Sequence, residues 1–124
     1  MAECVFCRPD QDRIFLTNDL AYALWDGYPV TRGHALVIPR QHVPAYFELS
    51  TEDLLACHVL LREARTLLVE QDASIEGFNV GVNVGSAAGQ TIFHCHFHLI
   101  PRRKGDVDNP RGGVRHLIPG RGAY

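Results

Sequence analysis

Three histidines at alternate positions, His94, His96 and His98 in the run HCHFHLIPRR, are the residues of this sequence best placed to do chemistry. Near neutral pH an imidazole is largely uncharged, and its ring nitrogen can attack phosphorus directly to give a phosphoramidate that is itself readily displaced. A neighbouring imidazole can hydrogen-bond the phosphate oxygens and pass a proton to the leaving group. The spacing calls for extended backbone, because positions i, i+2 and i+4 share a face on a strand and not on a helix. On a straight strand His94 and His98 stand roughly 13 Å apart. Zinc holds a ligand at about 2 Å, so a single metal bound by all three is strained. Imidazoles merely packed on a sheet face would need many hydrogen-bond partners. Phosphoryl or nucleotidyl transfer suits the row best, with Asn83, Gln90 and Thr91 as neutral hydrogen-bonding groups nearby and loop amides between Gly85 and Gly89 adding donors.

Ordered elements must carry these groups. TIFHCHFHLI reads as a strand with Phe93, Cys95, Phe97 and Leu99 on one face and Ile92 and the histidines on the other. FNVGVNV (78–84) alternates in the same way, and the short GSAAGQ connection predicts an antiparallel hairpin. Asn83 then shares the open face with the histidines, and Gly81 leaves room above the sheet. RIFLTN, LAYALW and HALVIP supply three more short strands; Asp26-Gly27-Tyr28-Pro29 turns the chain after the second, and Pro39 closes the third. Ser50 followed by Asp53 resembles a capping box and opens a helix to about Asp72. Its apolar stripe follows Leu54, Leu61 and Leu68, with Leu55 and Val69 beside them. The pattern predicts one α+β domain over residues 1–124 with a mainly antiparallel sheet, followed inside the domain by a Gly- and Pro-punctuated tail over 101–124.

Bulk properties narrow the function classes. The chain of 124 residues suits one core and is too short for two independent domains. No apolar run approaches the roughly 18 residues of a bilayer span. MAECVFCRPDQDR lacks the basic start and apolar stretch of a secretory signal, so a cytoplasmic location with reduced cysteines and no membrane partner is expected. The net charge of -2 divides unevenly: residues 101–124 carry six of the twelve Lys+Arg and two of the fourteen Asp+Glu, leaving a +4 tail on a -6 body. A pI near 6.4 argues against a nucleic-acid partner. The basic tail is either a solvated charge run or a helper for a phosphorylated ligand.

CVFC at residues 4–7 has the spacing of a zinc knuckle and offers two of the four ligands such a site needs. A structural zinc completed from elsewhere in the fold, a redox pair and unligated thiols are all open readings. Cys57, on the helix, and Cys95, on the apolar strand face, are expected to be packed and inert.

With these segments the chain resembles the histidine triad family of nucleotide hydrolases and transferases. HCHFHLI fits the family's His-φ-His-φ-His-φ-φ signature, φ being apolar, at every position. NVGSAAGQTIF, DGYPVTRGHALVIPRQH and CVFC resemble further family segments, so the likeness extends over nearly the whole chain. Galactose-1-phosphate uridylyltransferases of the wider superfamily carry Gln as the third element, and His98 points instead to the hydrolase side. The resemblance implies a HIT-like fold, a five-stranded mainly antiparallel sheet with one long and one short helix and a C-terminal tail. It implies that His96 takes the nucleoside α-phosphate, that His98 contacts that phosphate and assists the leaving group, and that His34 supports them both. Asn83, Gln90 and Thr91 would complete the phosphate site, Asp26 would bind ribose hydroxyls, and Val5, Phe6 and Leu24 would form an apolar slot for the purine. A structural zinc would sit on Cys4, Cys7, His42 and His94, bracing the strand that carries His96. No organic cofactor is implied, and a homodimer through the long helix and a sheet edge is expected. The expected activity is release of AMP from diadenosine polyphosphates, the basic tail favouring a polyanionic leaving group. A phosphorylase acting on those substrates, an adenosine phosphoramidase and a zinc-stabilised nucleotide-binding module without turnover are the alternatives.

Overall fold

Five strands and one α-helix make the frame: β1 (Ile14–Thr17), β2 (Ala21–Trp25), β3 (Ala35–Pro39), α1 (Thr51–Gln71), β4 (Ile75–Gly81) and β5 (Phe97–Arg103). The computed structural model describes residues 4–124, so the first three residues of the expected domain lie outside the described residues. The strands form one sheet in the order β1-β2-β3-β5-β4, with every neighbouring pair antiparallel. Inserting β5 between β3 and β4 makes it an inner strand, and His98 is fixed from both sides, opposite Leu36 and opposite Gly81.

The helix starts where the sequence places its cap. Ser50 Oγ accepts the Asp53 N–H at 3.1 Å, and Glu52 and Asp53 put negative charge in the first turn, where the helix dipole favours it. Its buried face runs through Cys57, Leu60, Ala64 and Leu68, three or four residues apart, and packs on Ala21, Ala23, Val37, Phe97 and Leu99. That stripe differs from the one expected: Leu54 and Leu61 are only partly buried, and Leu55 and Val69 are exposed. The small side chains of Cys57 and Ala64 explain the shift, since they let the helix approach Ala21 and Ala23 of β2 and Ala35 of β3. Burying each large aliphatic side chain here is worth about 1.5–3 kcal/mol.

The last two strands depart from the expected hairpin. β4 ends at Gly81 and β5 begins only at Phe97, so the connection runs from 82 to 96 and includes a 3-10 turn at Ser86–Ala88. Tertiary contacts draw its end away from β4: the Cys95 N–H donates to Val43 O at 2.8 Å, and His94 is buried against Pro39. Among the described residues α1 is the only α-helix, and further 3-10 turns at Gln11–Arg13, Tyr46–Glu48 and Gly113–Leu117 take the place of the expected short helix. Among the described residues no helix is long and apolar enough to cross a membrane.

α1 covers one sheet face. On the other, Leu24, Leu36, His98 and Gly81 stand in register across four strands. A Cβ added at Gly81 would meet nothing within 4 Å, so the room expected above the sheet is there. Beyond β5 the tail folds back on itself: Arg102 pairs with Asp106 at 2.8 Å, and the Tyr124 ring takes the guanidinium groups of Arg111 and Arg115 at 4.4 and 4.9 Å.

Candidate functional site

The three histidines part company. Because His94 and His96 precede β5, they do not form a straight row with His98; His94 is fully buried, whereas the other two are half-buried. His94 turns toward the N-terminal cysteines, His98 toward His34, and His96 lies between, its ring centroid 5.4 Å from that of His98 and 4.9 Å from that of Phe6. In the rings of His96 and His94 a backbone group settles where the proton sits. The His96 Nδ1–H donates to His94 O at 2.8 Å, which leaves Nε2 as a free lone pair. The His94 Nε2–H donates to Pro39 O at 2.7 Å, which frees Nδ1.

That free Nδ1 faces a donor cluster. It lies 3.4 Å from Cys4 Sγ, 3.6 Å from Cys7 Sγ and 3.2 Å from His42 Nδ1, while Cys7 Sγ stands 3.2 Å from His42 Nδ1. All four donor atoms fall within 4.8 Å of one another. Bonds of about 2.3 Å to sulfur and about 2.0 Å to nitrogen give a tetrahedral zinc ligand edges of roughly 3.3–3.8 Å. These four separations lie close to those edges, two of them about 0.1 Å short of the range, and the two-thiol, two-imidazole set is one that zinc takes. Burial, then the neighbouring Cys4 thiol, pushes the Cys7 thiol up; a cation seated between the sulfurs would draw both to thiolate. Burial, opposed by the bond to Pro39, pulls His94 down and keeps its ring neutral, as a ligand requires.

The other cluster is built differently. The Val30 N–H donates to His34 Nδ1 at 3.1 Å, so the His34 proton sits on Nε2 and faces His98 Nδ1 at 2.9 Å and Asp26 Oδ2 at 3.3 Å. A metal at that nitrogen would need the ring stripped of both protons, so this trio is a hydrogen-bonded chain. Burial pushes His34 down, against the pull of the Asp26 carboxylate. Burial, reinforced by His96 and His34 and opposed by Asp26, pushes His98 down to about 4. At neutral pH His98 is therefore uncharged, its Nδ1 accepting from His34 and its own proton on Nε2. The turn ahead of His34 is held by Arg103, whose guanidinium donates to Thr31 Oγ1, Arg32 O and Asp72 Oδ2 at 2.8–2.9 Å.

His34 and His98 line a cleft of about 630 Å³, walled by Val30, Val82, Ile100 and Leu117 and bordered by Gly81 and Asn83. Of the other residues expected at the phosphate, Thr91 is exposed, while Gln90 is buried and fully engaged. The Gln90 amide nitrogen donates to Pro44 O and Ile92 O, and its oxygen accepts the Gly85 N–H, so the side chain closes the loop between Gly85 and Gly89. Phe6 and Leu24 meet in one apolar cluster with Tyr22, Leu36 and Ile38, 5% and 0% exposed, while Val5 stands outside it; the three do not form an open slot. Asp26 Oδ1 accepts the Tyr28 N–H at 2.8 Å. Its other oxygen faces the imidazole pair, a contact the sequence reading missed; the seven residues between Asp26 and His34, rich in turn formers, were the available signal. Cys57 and Cys95 are packed as expected, and burial pushes their thiols up to about 12 and about 11.

The HIT domain family matches residues 8–105. An uncharacterized HIT-like protein from Saccharolobus solfataricus is 34% identical over 109 residues, which cover 85% of this chain and 78% of that protein. A bis(5'-adenosyl)-triphosphatase from Dictyostelium discoideum is 35% identical over 99 residues, covering 80% of this chain and 66% of the relative. Among solved structures, a zinc-bound histidine triad family protein from Mycobacterium smegmatis has a TM-score of 0.75 at 32% identity, with 83% of this chain and 77% of that one covered.

Proposed function

The chain belongs to the HIT domain family, and we propose that it is a nucleotide hydrolase that cleaves at a nucleoside α-phosphate and releases AMP from diadenosine polyphosphates. The observation that carries this reading is the His96 ring, whose Nδ1–H is held by His94 O so that Nε2 is free to attack. In the first step the Nε2 lone pair bonds to the α-phosphorus, and the bond to the leaving oxygen breaks with its electron pair going to that oxygen. The His94 carbonyl meets the positive charge the ring takes on. The His98 Nε2–H is the donor for the phosphate or the departing group, and Asn83 adds a further donor at the cleft. Water then attacks phosphorus, the P–N bond returns its electrons to His96, and AMP leaves as the water gives up a proton.

A structural zinc on Cys4, Cys7, His42 and His94 is part of the proposal, supported by the matching donor separations and by the zinc-bound relative. Its contribution when bound is to fix a ring two residues from the nucleophile. Similarity to the triphosphatase supports the polyphosphate substrate. The basic tail supports it less than its charge suggested, since Arg102 pairs with Asp106 and Arg111 and Arg115 pack on Tyr124. The apolar walls of the cleft favour a second reading, an adenosine phosphoramidase with a small neutral leaving group. AMP release from diadenosine tetraphosphate and from an adenosine phosphoramidate, by wild type and His96→Asn side by side, tests both. Faster His96-dependent cleavage of the dinucleotide supports the first reading and faster phosphoramidate cleavage the second. Turnover that survives in His96→Asn refutes both, and the absence of turnover leaves a nucleotide-binding module.

A further inference from the structure

Resting on the hydrolase reading, we infer that Arg103 is a positioning residue, whose guanidinium fixes the turn at Thr31 and Arg32 and, through that turn, the His34 ring. Arg103 ends β5, the strand that carries His98, and its side chain is 16% exposed. Its planar fork grips two separate segments. Nη1 donates to Thr31 Oγ1 and Nη2 to Arg32 O, each at 2.9 Å, inside the turn that leads into His34. Nη2 also donates to Asp72 Oδ2 at 2.8 Å, and Nε to Ser74 Oγ at 3.0 Å, in the link between α1 and β4. Three nitrogens held in one plane thus meet four acceptors, which a lysine ammonium on its flexible stem cannot repeat.

The clamped turn is what sets the His34 proton. The Val30 N–H donates to His34 Nδ1 at 3.1 Å, and the His34 N–H donates to Thr31 O at 3.1 Å. With Nδ1 occupied, the ring proton stays on Nε2, and His98 Nδ1 faces it at 2.9 Å, so the proton of His98 is left on Nε2 for the substrate. A loosened turn frees His34 Nδ1 to take the proton. His98 can then restore the hydrogen bond only with its own proton on Nδ1, which strips the donor from the cleft. Asp26 Oδ2, 3.3 Å from His34 Nε2, supports the native arrangement, so loosening the turn shifts a population and does not invert it outright. Asp72 supplies an internal control. It also accepts from Arg32 Nη2 at 3.0 Å, but that side chain is 74% exposed, and an ion pair so open to solvent holds little.

Arg103→Lys and Arg32→Gln are compared with wild type well below their unfolding midpoints. Turnover is read on diadenosine tetraphosphate and on an adenosine phosphoramidate, and nitrogen-15 spectra of labelled histidines report which His34 nitrogen holds the proton. Arg103→Lys should lower kcat at least about threefold, in step with the fraction of His34 protonated on Nε2, and leave KM within about twofold, since a rate scales with the competent population. Arg32→Gln should match wild type in both readouts. A merely structural arginine would lower the thermal midpoint and leave kcat and the His34 proton where they were. That result overturns the inference, as does a loss carried by KM, an equal loss in Arg32→Gln, or a wild type with the His34 proton on Nδ1. Should Arg103→Lys not fold, Thr31→Val removes a single acceptor of the fork, and His34 still wholly protonated on Nε2 in that variant overturns the inference too. A wild type inactive on both substrates refutes the hydrolase reading instead, and the His34 spectra still decide the role of Arg103.

Discussion

Replacing Gly33 with alanine should cost the protein about 3 kcal/mol, and the structure separates that cost into two parts. Gly33 sits at φ +87°, immediately before His34, in a region where an L side chain costs about 1–2 kcal/mol. The added Cβ would also stand 2.9 Å from Leu68 Cδ2 and 3.3 Å from Pro101 Cγ, wedged between α1 and β5. Leu68 is buried and Pro101 fully so, which leaves neither much room to retreat, and overpacking of this kind adds about 1–3 kcal/mol. For a chain of 124 residues each kcal/mol is worth roughly 4 °C, so the thermal midpoint should drop by roughly 12 °C. Gly89 gives the control: its φ is +92°, and nothing lies within 4 Å of its would-be Cβ, so Gly89→Ala should show the backbone part alone. Thermal and urea unfolding followed by circular dichroism measure both. Equal midpoints for the two variants would refute the packing argument, and a Gly33→Ala midpoint within about 3 °C of wild type would refute it together with the strain.

Three further outcomes follow from the same geometry. Protein purified without added metal should carry about one zinc per chain, and Cys7→Ser should lose both the metal and thermal stability; a stable, metal-free wild type would remove the zinc. The His98 ring, pushed down to about 4 in the fold, titrates near 6.5 when unfolded. The stability tied to its neutral form is therefore complete above about pH 6.5 and is lost as the pH falls toward 4, by up to about 3 kcal/mol, with His34 changing in the same direction. Urea midpoints that stay flat over that window would contradict the burial of the pair. We propose the expected homodimer on the exposed Leu55 and Val59 of α1 and Val80 of the edge strand β4. Light scattering should give twice the 13.9 kDa chain mass, and Val80→Asp should halve it; a monomeric wild type refutes the dimer.

Where local rules decide structure, the sequence was readable. The Ser50–Asp53 cap, the Pro39 stop and the short apolar runs LAYALW and HALVIP set α1, β2 and β3 within a residue or two. β4 and β5 were harder, because the pull of Val43 and Pro39 on residues 94 and 95 is a long-range contact that periodicity does not record. The same limit applies to the site. Alternate spacing announced three cooperating imidazoles, but the division into ligand, nucleophile and proton partner that we propose for them depends on the carbonyls of Pro39 and His94 and the N–H of Val30, which look alike in any sequence. Gln90 and Phe6 have the right chemistry for a ligand pocket, and only packing reveals that loop closure and the core already engage them.

The donor quartet also orders events in time. Its members are numbers 4, 7, 42 and 94, so the set cannot be complete until about three-quarters of the chain has been synthesised. At translation speeds of about 5–20 residues per second, Cys7 waits roughly 4–17 s for His94 to follow it out of the ribosome. Through that interval the nascent chain displays the two thiols of the quartet and no closed cage, exposed to oxidants and to whatever thiophilic ion arrives first. Faithful metal loading would then depend on the reducing and metal-buffering state of the compartment where the chain is made as much as on the finished fold.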